Sequence, residues 1–390
     1  MRQQLRLRAQ NIGAAPRVTR GNAPRKGYQT AVRPIDPAFF EDNDRQAPAG
    51  SGVQLAQVGS LTCQSGVTLP EVQVAYQTWG TLNAERSNAV LVCHALSGDS
   101  NVLGWWERLF GAGRAIDPAD WFVIGTNALG GCQGTTGPGS LAQDGKPWGS
   151  RFPKITVADM VVAQTRLLDQ LGIDRLALVC GGSMGGMQAL EWTLTQPDRV
   201  ARLWMTASAR AHSAMQIAFN EAARQAVMRD PDWQNGDYVG EGPQNGLAVA
   251  RMVGHLSYLS DAAFTAKFGR GLQPPTQDAH EGQFQVESYL NYQGEKFGRR
   301  FDARSLVALT WAIDRYEATA FRPLPTKVLL TSYTSDWLYP TWQSEELAAQ
   351  FQAHGVNCRH HEIDQPYGHD SFLLDGEEQG RLLRDWLAEG

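Results

Sequence analysis

The chain is short of cysteine. Five are scattered over 390 residues, at positions 63, 93, 132, 180 and 358, with no C-x-x-C pair among them. So sparse and odd a set excludes a disulfide scaffold and a zinc ribbon and fits a reducing compartment, so a cytoplasmic location is expected. Long apolar runs are missing as well. No stretch of about 18 uncharged apolar residues occurs, so nothing reads as a membrane span. Nor is there a basic surplus: Lys and Arg number 35 against 40 Asp and Glu, a formal charge of −5. Phosphate-backbone binding needs the opposite balance, so no nucleic-acid partner is expected.

In the first 34 residues it is acid that is absent. Arg2, Arg6, Arg8, Arg17, Arg20, Arg25, Lys26 and Arg33 stand there without an acidic side chain, and removing these eight from the 35 leaves 27 basic against 40 acidic residues, a balance of −13. The segment has no serine before Ser51, no amphipathic repeat and no apolar h-region. Residues 1–50 therefore read as a disordered basic extension or an over-long start rather than an organelle or secretory signal.

What is present is ample apolar material, 42% of the chain with 19% charged, enough for a large core. From Val53 the alternating runs VQLAQVGSLTC and VQVAYQTWG predict half-buried strands. Asn88–His94, Trp121–Asn127 and Arg175–Cys180 are nearly continuous in apolar residues, as strands covered on both faces are. Between them, Val157, Met160, Val161, Gln164, Leu167, Leu168 and Leu171 lay a stripe at helical period that Gly172 ends. Strand and helix in alternation specify a mostly parallel α/β sheet. Residues 206–320 break the rhythm with helical stretches at Ala214–Met228 and Ser305–Asp314, before strands resume at Thr326–Tyr333 and Val356–Asp364. The expected organisation is a core of 51–205 and 321–390 with a helical lid insertion of 206–320.

Gly181-Gly-Ser-Met-Gly185 falls directly after one predicted strand and before a helix. That context makes a G-x-S-x-G a nucleophile elbow, with Ser183 on a strained turn at a helix N-terminus that favours an oxyanion. The bland alternative is a glycine-rich turn with an incidental serine. A nucleophilic serine needs a base and the base an orienting carboxylate, and in chain order Asp336 and His369 follow, each in a turn after a strand. Either alone reads equally well as a cap or turn former; together, in this order, they read as a triad. The oxyanion donors are expected at the N–H of Met184 and, from loop position, of Leu96. His94 either lines the site or is structural. His360 and His361 are adjacent on a predicted strand and point to opposite faces, so no metal site is expected. The glycine cluster 129–139 is not a phosphate-binding Walker loop, since Lys146 is followed by Pro147.

His94-Ala-Leu-Ser-Gly-Asp, Gly104-Trp-Trp, Leu129-Gly-Gly-Cys-Gln-Gly-Thr-Thr-Gly-Pro, Gly181-Gly-Ser-Met-Gly-Gly-Met-Gln-Ala-Leu-Glu-Trp, Ile217-Ala-Phe-Asn-Glu, Val286-Glu-Ser-Tyr-Leu and Tyr367-Gly-His-Asp occur in order from about residue 55 onwards. Together they resemble the homoserine O-acetyltransferase family of the α/β-hydrolase superfamily. The resemblance implies an α/β-hydrolase fold with a helical lid and two-step transfer of acetyl from acetyl-CoA through Ser183 to the hydroxyl of L-homoserine, in methionine synthesis. It implies no permanently bound cofactor, acetyl-CoA serving as co-substrate, and a homodimer. It also implies that Arg224 meets the α-carboxylate and Asp370 the α-ammonium of the amino acid. Many succinyl-using relatives carry an arginine where Leu338 stands, so an acetyl group is expected. Serine O-succinyltransferases typically show asparagine in place of Gly182, and an esterase would share the triad without Arg224 and Asp370. The stretch from Asp99 to Trp105 is shorter than in most members, so the acyl or CoA entrance is expected to differ in shape.

Overall fold

A computed structural model describes residues 52–274 and 282–389. The basic extension at residues 1–50 lies outside them. The chain enters through β1 (Gln54–Gln57), a small hairpin of β2 (Leu61–Thr62) and β3 (Thr68–Leu69), and β4 (Gln73–Trp79). Next come β5 (Ala89–Cys93), the short helix α1 (Val102–Trp105), β6 (Phe122–Thr126), α2 (Val157–Gln170), β7 (Leu178–Gly182), α3 (Met184–Thr195) and β8 (Arg202–Thr206). Helices α4 (Ala214–Met228), α5 (Gln244–Tyr258), α6 (Asp261–Phe268), α7 (Gln285–Gly298) and α8 (Ala303–Asp314) then intervene before β9 (Lys327–Tyr333). The chain closes with α9 (Thr341–Ala353), β10 (Cys358–Ile363), α10 (Ser371–Leu374) and α11 (Glu378–Ala388).

Eight strands form one sheet in the order β1-β4-β6-β5-β7-β8-β9-β10. From β6 to β10 neighbours are parallel, and β4 and β1 add an antiparallel edge. The apolar runs explain themselves by the two-residue period of a strand. In β5, Ala89, Leu91 and Cys93 enter one buried layer while Val90 and Val92 enter the other. Val179 of β7 likewise faces the first layer, and Leu178 and Cys180 the second. A sheet covered on both faces leaves no position for a polar residue, which is why these segments carry no alternation.

The predicted helix over 156–171 is found as α2, opened by a capping box in which Thr156 and Asp159 exchange hydrogen bonds. The strand expected over Arg175–Cys180 starts later and runs to Gly182, so the two glycines before the serine belong to it. Leu176 is joined only by an isolated bridge to Val200.

Candidate active site

Ser183 sits between β7 and α3 with φ 55° and ψ −126°, a conformation that L-residues rarely adopt and that sharp, strained turns impose. Two features hold it there. The Ser183 N–H donates toward the carbonyls of Thr206 and Ala207 at 3.2 Å, and Ser208 Oγ donates to the Ser183 carbonyl at 2.6 Å. At Gly185, a Cβ would lie 2.0 Å from the Cys93 carbonyl oxygen, so only glycine lets α3 start this close to β5. Gly182 is similarly confined: a Cβ there would meet the Phe372 ring at 2.5 Å, leaving no room for an asparagine unless that ring moves.

Asp336 follows β9 and is 3% exposed. Its Oδ1 accepts the N–H groups of Leu338 at 3.0 Å and Tyr339 at 2.8 Å, which fixes the carboxylate as its own turn cap. Its Oδ2 lies 2.8 Å from His369 Nδ1. Facing a carboxylate, Nδ1 carries the proton and Nε2 is left as the acceptor. The cap reading of Asp336 thus holds, and the same carboxylate faces the His369 ring. The His369 ring is stacked on Tyr339 at 4.8 Å between centroids and 21° between planes, with Phe372 at 5.3 Å. Gly368, at φ 76°, lets the preceding turn press on the α5–α6 link, where a Cβ would meet the Ser260 nitrogen at 2.5 Å.

Ser183, His369, Asp370 and Leu96 border one cavity of about 500 Å³ roofed by α5, α6 and α7. Among the described residues neither the Leu96 nor the Met184 N–H donates to a backbone carbonyl. His94, fully buried, holds the Leu96 loop: Nδ1 donates to the Ala95 carbonyl at 2.6 Å, and Nε2 accepts the Ala128 N–H at 2.9 Å. Its role is structural, and burial lowers its pKa, keeping the ring neutral. His360 instead meets Ser332 Oγ at 2.8 Å, away from this site. The short Asp99–Trp105 stretch forms one wall of the cavity, with Trp105 Nε1 donating to the Asp99 carbonyl at 3.0 Å.

Two residues named from the sequence are elsewhere. Arg224 does not line the cavity. It is 4% exposed and committed to acids, Nη1 lying 2.6 Å from Asp314 Oδ2 and Nη2 3.0 Å from Glu221 Oε2. Leu338 also stands back: its side chain is buried in the main core, and what it presents to the site is the N–H that caps Asp336. One of the cations that line the cavity and act on Asp370 is Arg251, which sequence reasoning passed over. Its guanidinium lies 4.8 Å from the Phe297 ring centroid and 3.5 Å from Ser97 Oγ, and its buried Nε has no hydrogen-bond partner. A signal existed, since Arg251, His255 and Tyr258 are spaced i, i+4, i+7 on α5 and all face the cavity.

The electrostatics follow from burial. Desolvation pushes the Asp370 carboxyl up to about 6, against the pull of His369, Arg251 and Lys267. Desolvation lowers the Lys267 ammonium to about 8 and, reinforced by Arg251 and Lys267, the His255 imidazole to about 2. The site therefore holds a neutral His255 beside an acid and a base that titrate near neutrality.

Comparison with known proteins decides the family. The alpha/beta hydrolase fold family model matches residues 88–376. A homoserine O-acetyltransferase from Bradyrhizobium diazoefficiens is 49% identical over 351 residues, covering 84% of this chain and 88% of that one. The chain belongs to the homoserine O-acetyltransferase family. Among solved structures, a homoserine O-acetyltransferase from Bacillus anthracis superposes with TM-score 0.81 at 26% identity, covering 86% of this chain and 97% of that one. An acetylester hydrolase from Corynebacterium glutamicum reaches TM-score 0.76 at 25% identity, covering 87% and 96%. The fold is thus shared with ester hydrolases, and what the cavity binds must separate transfer from hydrolysis.

Proposed function

We propose that the protein is a homoserine O-acetyltransferase of methionine biosynthesis, in which Ser183, His369 and Asp336 carry out a two-step transfer from acetyl-CoA to L-homoserine. The observation that carries this reading is the Arg251–Asp370 pair in the cavity that also holds Ser183 and His369. A cation and an anion there complement an amino acid's α-carboxylate and α-ammonium, whereas an esterase needs neither. Arg251 takes the part that the family resemblance assigned to Arg224.

In the first half-reaction Ser183 Oγ attacks the thioester carbonyl while His369 Nε2 accepts the hydroxyl proton. The oxyanion is met by the N–H groups of Leu96 and Met184 at the start of α3. The C–S bond then breaks, the acetyl group stays on Oγ, and His369 returns the proton to the departing CoA thiol. In the second, homoserine's hydroxyl gives its proton to His369 and attacks the acetyl carbonyl, and Ser183 leaves with that proton. Transfer outruns hydrolysis because Arg251 and Asp370 together orient the homoserine hydroxyl where water would otherwise react.

Several further features support the reading. Lys267, Lys296 and Arg300 bring basic side chains to the cavity of a chain whose formal charge is −5, and these suit an anionic thioester donor. No cofactor need be retained, acetyl-CoA being consumed. Met215, Ile217, Val249, Leu256 and Tyr292 expose apolar side chains on lid helices, as a homodimer through the lid requires. No helix among the described residues is long and apolar enough to cross a membrane, and a cytoplasmic location fits the free cysteines.

The test is direct. Purified protein with homoserine and either acetyl-CoA or succinyl-CoA is followed for free thiol and O-acylhomoserine. Beyond a single burst of about one equivalent per site, thiol release is expected to depend on homoserine and to prefer acetyl; continued turnover without homoserine would point to a hydrolase, and succinyl preference would overturn the acyl assignment. The pH dependence adds a second check. Asp370 is ionised above about 6 and neutral below it, so the homoserine KM should fall as pH rises from 5 to 7. Asp370→Asn should raise that KM about 10- to 100-fold and flatten its pH profile. A wild-type profile in this variant would remove Asp370 from the site.

A further inference from the structure

A second buried polar chain approaches the triad from the lid. The Tyr339 hydroxyl lies near the Ser183 side chain. Tyr339 Oη lies 2.7 Å from His212 Nε2, and His212 Nδ1 lies 2.8 Å from Asp314 Oδ1. Asp314 is held in turn by Asn220 Nδ2 at 2.6 Å and Arg224 Nη1 at 2.6 Å. His212 and Asp314 side chains are 2% and 4% exposed. Such a network would be costly to bury without full satisfaction, and here every member has a partner.

The path has a direction. Asp314 is an acceptor, so His212 carries its proton on Nδ1 and accepts at Nε2, and Tyr339 donates to it. The Tyr339 ring lies flat on His369 at 4.8 Å and 21°. One side chain therefore lies against the catalytic base and is held at its hydroxyl end by the lid. His212 precedes α4, Asn220 and Arg224 lie on α4, and Asp314 ends α8.

We propose that Asp314 and His212 pin Tyr339, and that the pinned Tyr339 ring sets the orientation of the His369 ring, so that the lid positions the catalytic base. Tyr339, His212 and Asp314 are positioning residues that act through His369. The family's ordinary triad has no need of this path, because Asp336 alone fixes the His369 tautomer. The proposal rests on Ser183 being the nucleophile.

The experiment measures acetyl-enzyme formation, as the burst of free thiol from acetyl-CoA without homoserine, with peptide mass mapping of the acetylated residue. Tyr339→Phe keeps the ring on His369 and removes only the hydroxyl, and should slow the burst about 10- to 100-fold with little change in the acetyl-CoA concentration dependence. His212→Ala should act alike, the two losses should not multiply in the double variant, and His212→Gln, which restores an acceptor, should recover most of the rate. Thermal melting accompanies each variant; should His212→Ala fail to fold, Tyr339→Phe and His212→Gln decide alone. A wild-type burst in Tyr339→Phe, or losses that multiply, would overturn the proposal. Acetyl on a residue other than Ser183 in the unmodified enzyme would instead refute the nucleophile itself.

Discussion

Ser183→Ala is expected to lower transfer by a factor of about 10⁴ or more, measured as O-acetylhomoserine formed, and to abolish the thiol burst. The size follows from the role: without Oγ there is no acetyl-enzyme, and positioning and the oxyanion donors are all that remain. Stability should hardly change. The Ser183 side chain makes no cap hydrogen bond to α3, and the φ of 55° is equally uncomfortable for alanine, so the melting temperature should stay within about 2 °C. Retained turnover with this variant would mean that another residue attacks the thioester.

The second large effect separates two arginines. Arg251→Gln should raise the homoserine KM about 100-fold while leaving the thiol burst near the wild-type rate, since its charge meets only the amino acid. Arg251 also helps to keep Asp370 ionised, so the pH at which homoserine binding improves should move up from about 6. Arg224→Gln should behave differently. It leaves Asp314 buried and short of its cation, at a cost of about 3–5 kcal/mol of stability. A lower melting temperature is the expected signature. An unchanged melting temperature together with a raised homoserine KM would return Arg224 to the role that the family motif suggested.

The two arginines show where legibility in the sequence ended. Both lie on lid helices and both suit a carboxylate, and the resemblance pointed to the one inside the Phe219-Asn-Glu-Ala-Ala-Arg motif. What decided between them is which face each helix buries. Helix α4 turns Arg224 toward Asp314, ninety residues away in sequence, while α5 turns Arg251 into the cavity. Leu338 is a similar case. The resemblance tied its identity to acyl choice, but its side chain belongs to the core. His212 left no local signal at all, because its partners Tyr339 and Asp314 are 127 and 102 residues distant.

By itself, the sequence determined whatever depends on neighbours along the chain. Apolar runs without alternation set the buried parallel strands, a capping box set the start of α2, and strand–glycine–serine–glycine–helix set the elbow. These are local because backbone geometry and hydrophobic period act over a few residues. Tertiary structure alone decided which polar groups come together: Arg251 and Asp370 on the lining of one cavity, Arg224 with Asp314, and Tyr339 between His369 and His212. The reason is physical. A charge stays buried only where a partner meets it, and the partner is chosen by packing between distant elements, a choice that composition and spacing do not contain.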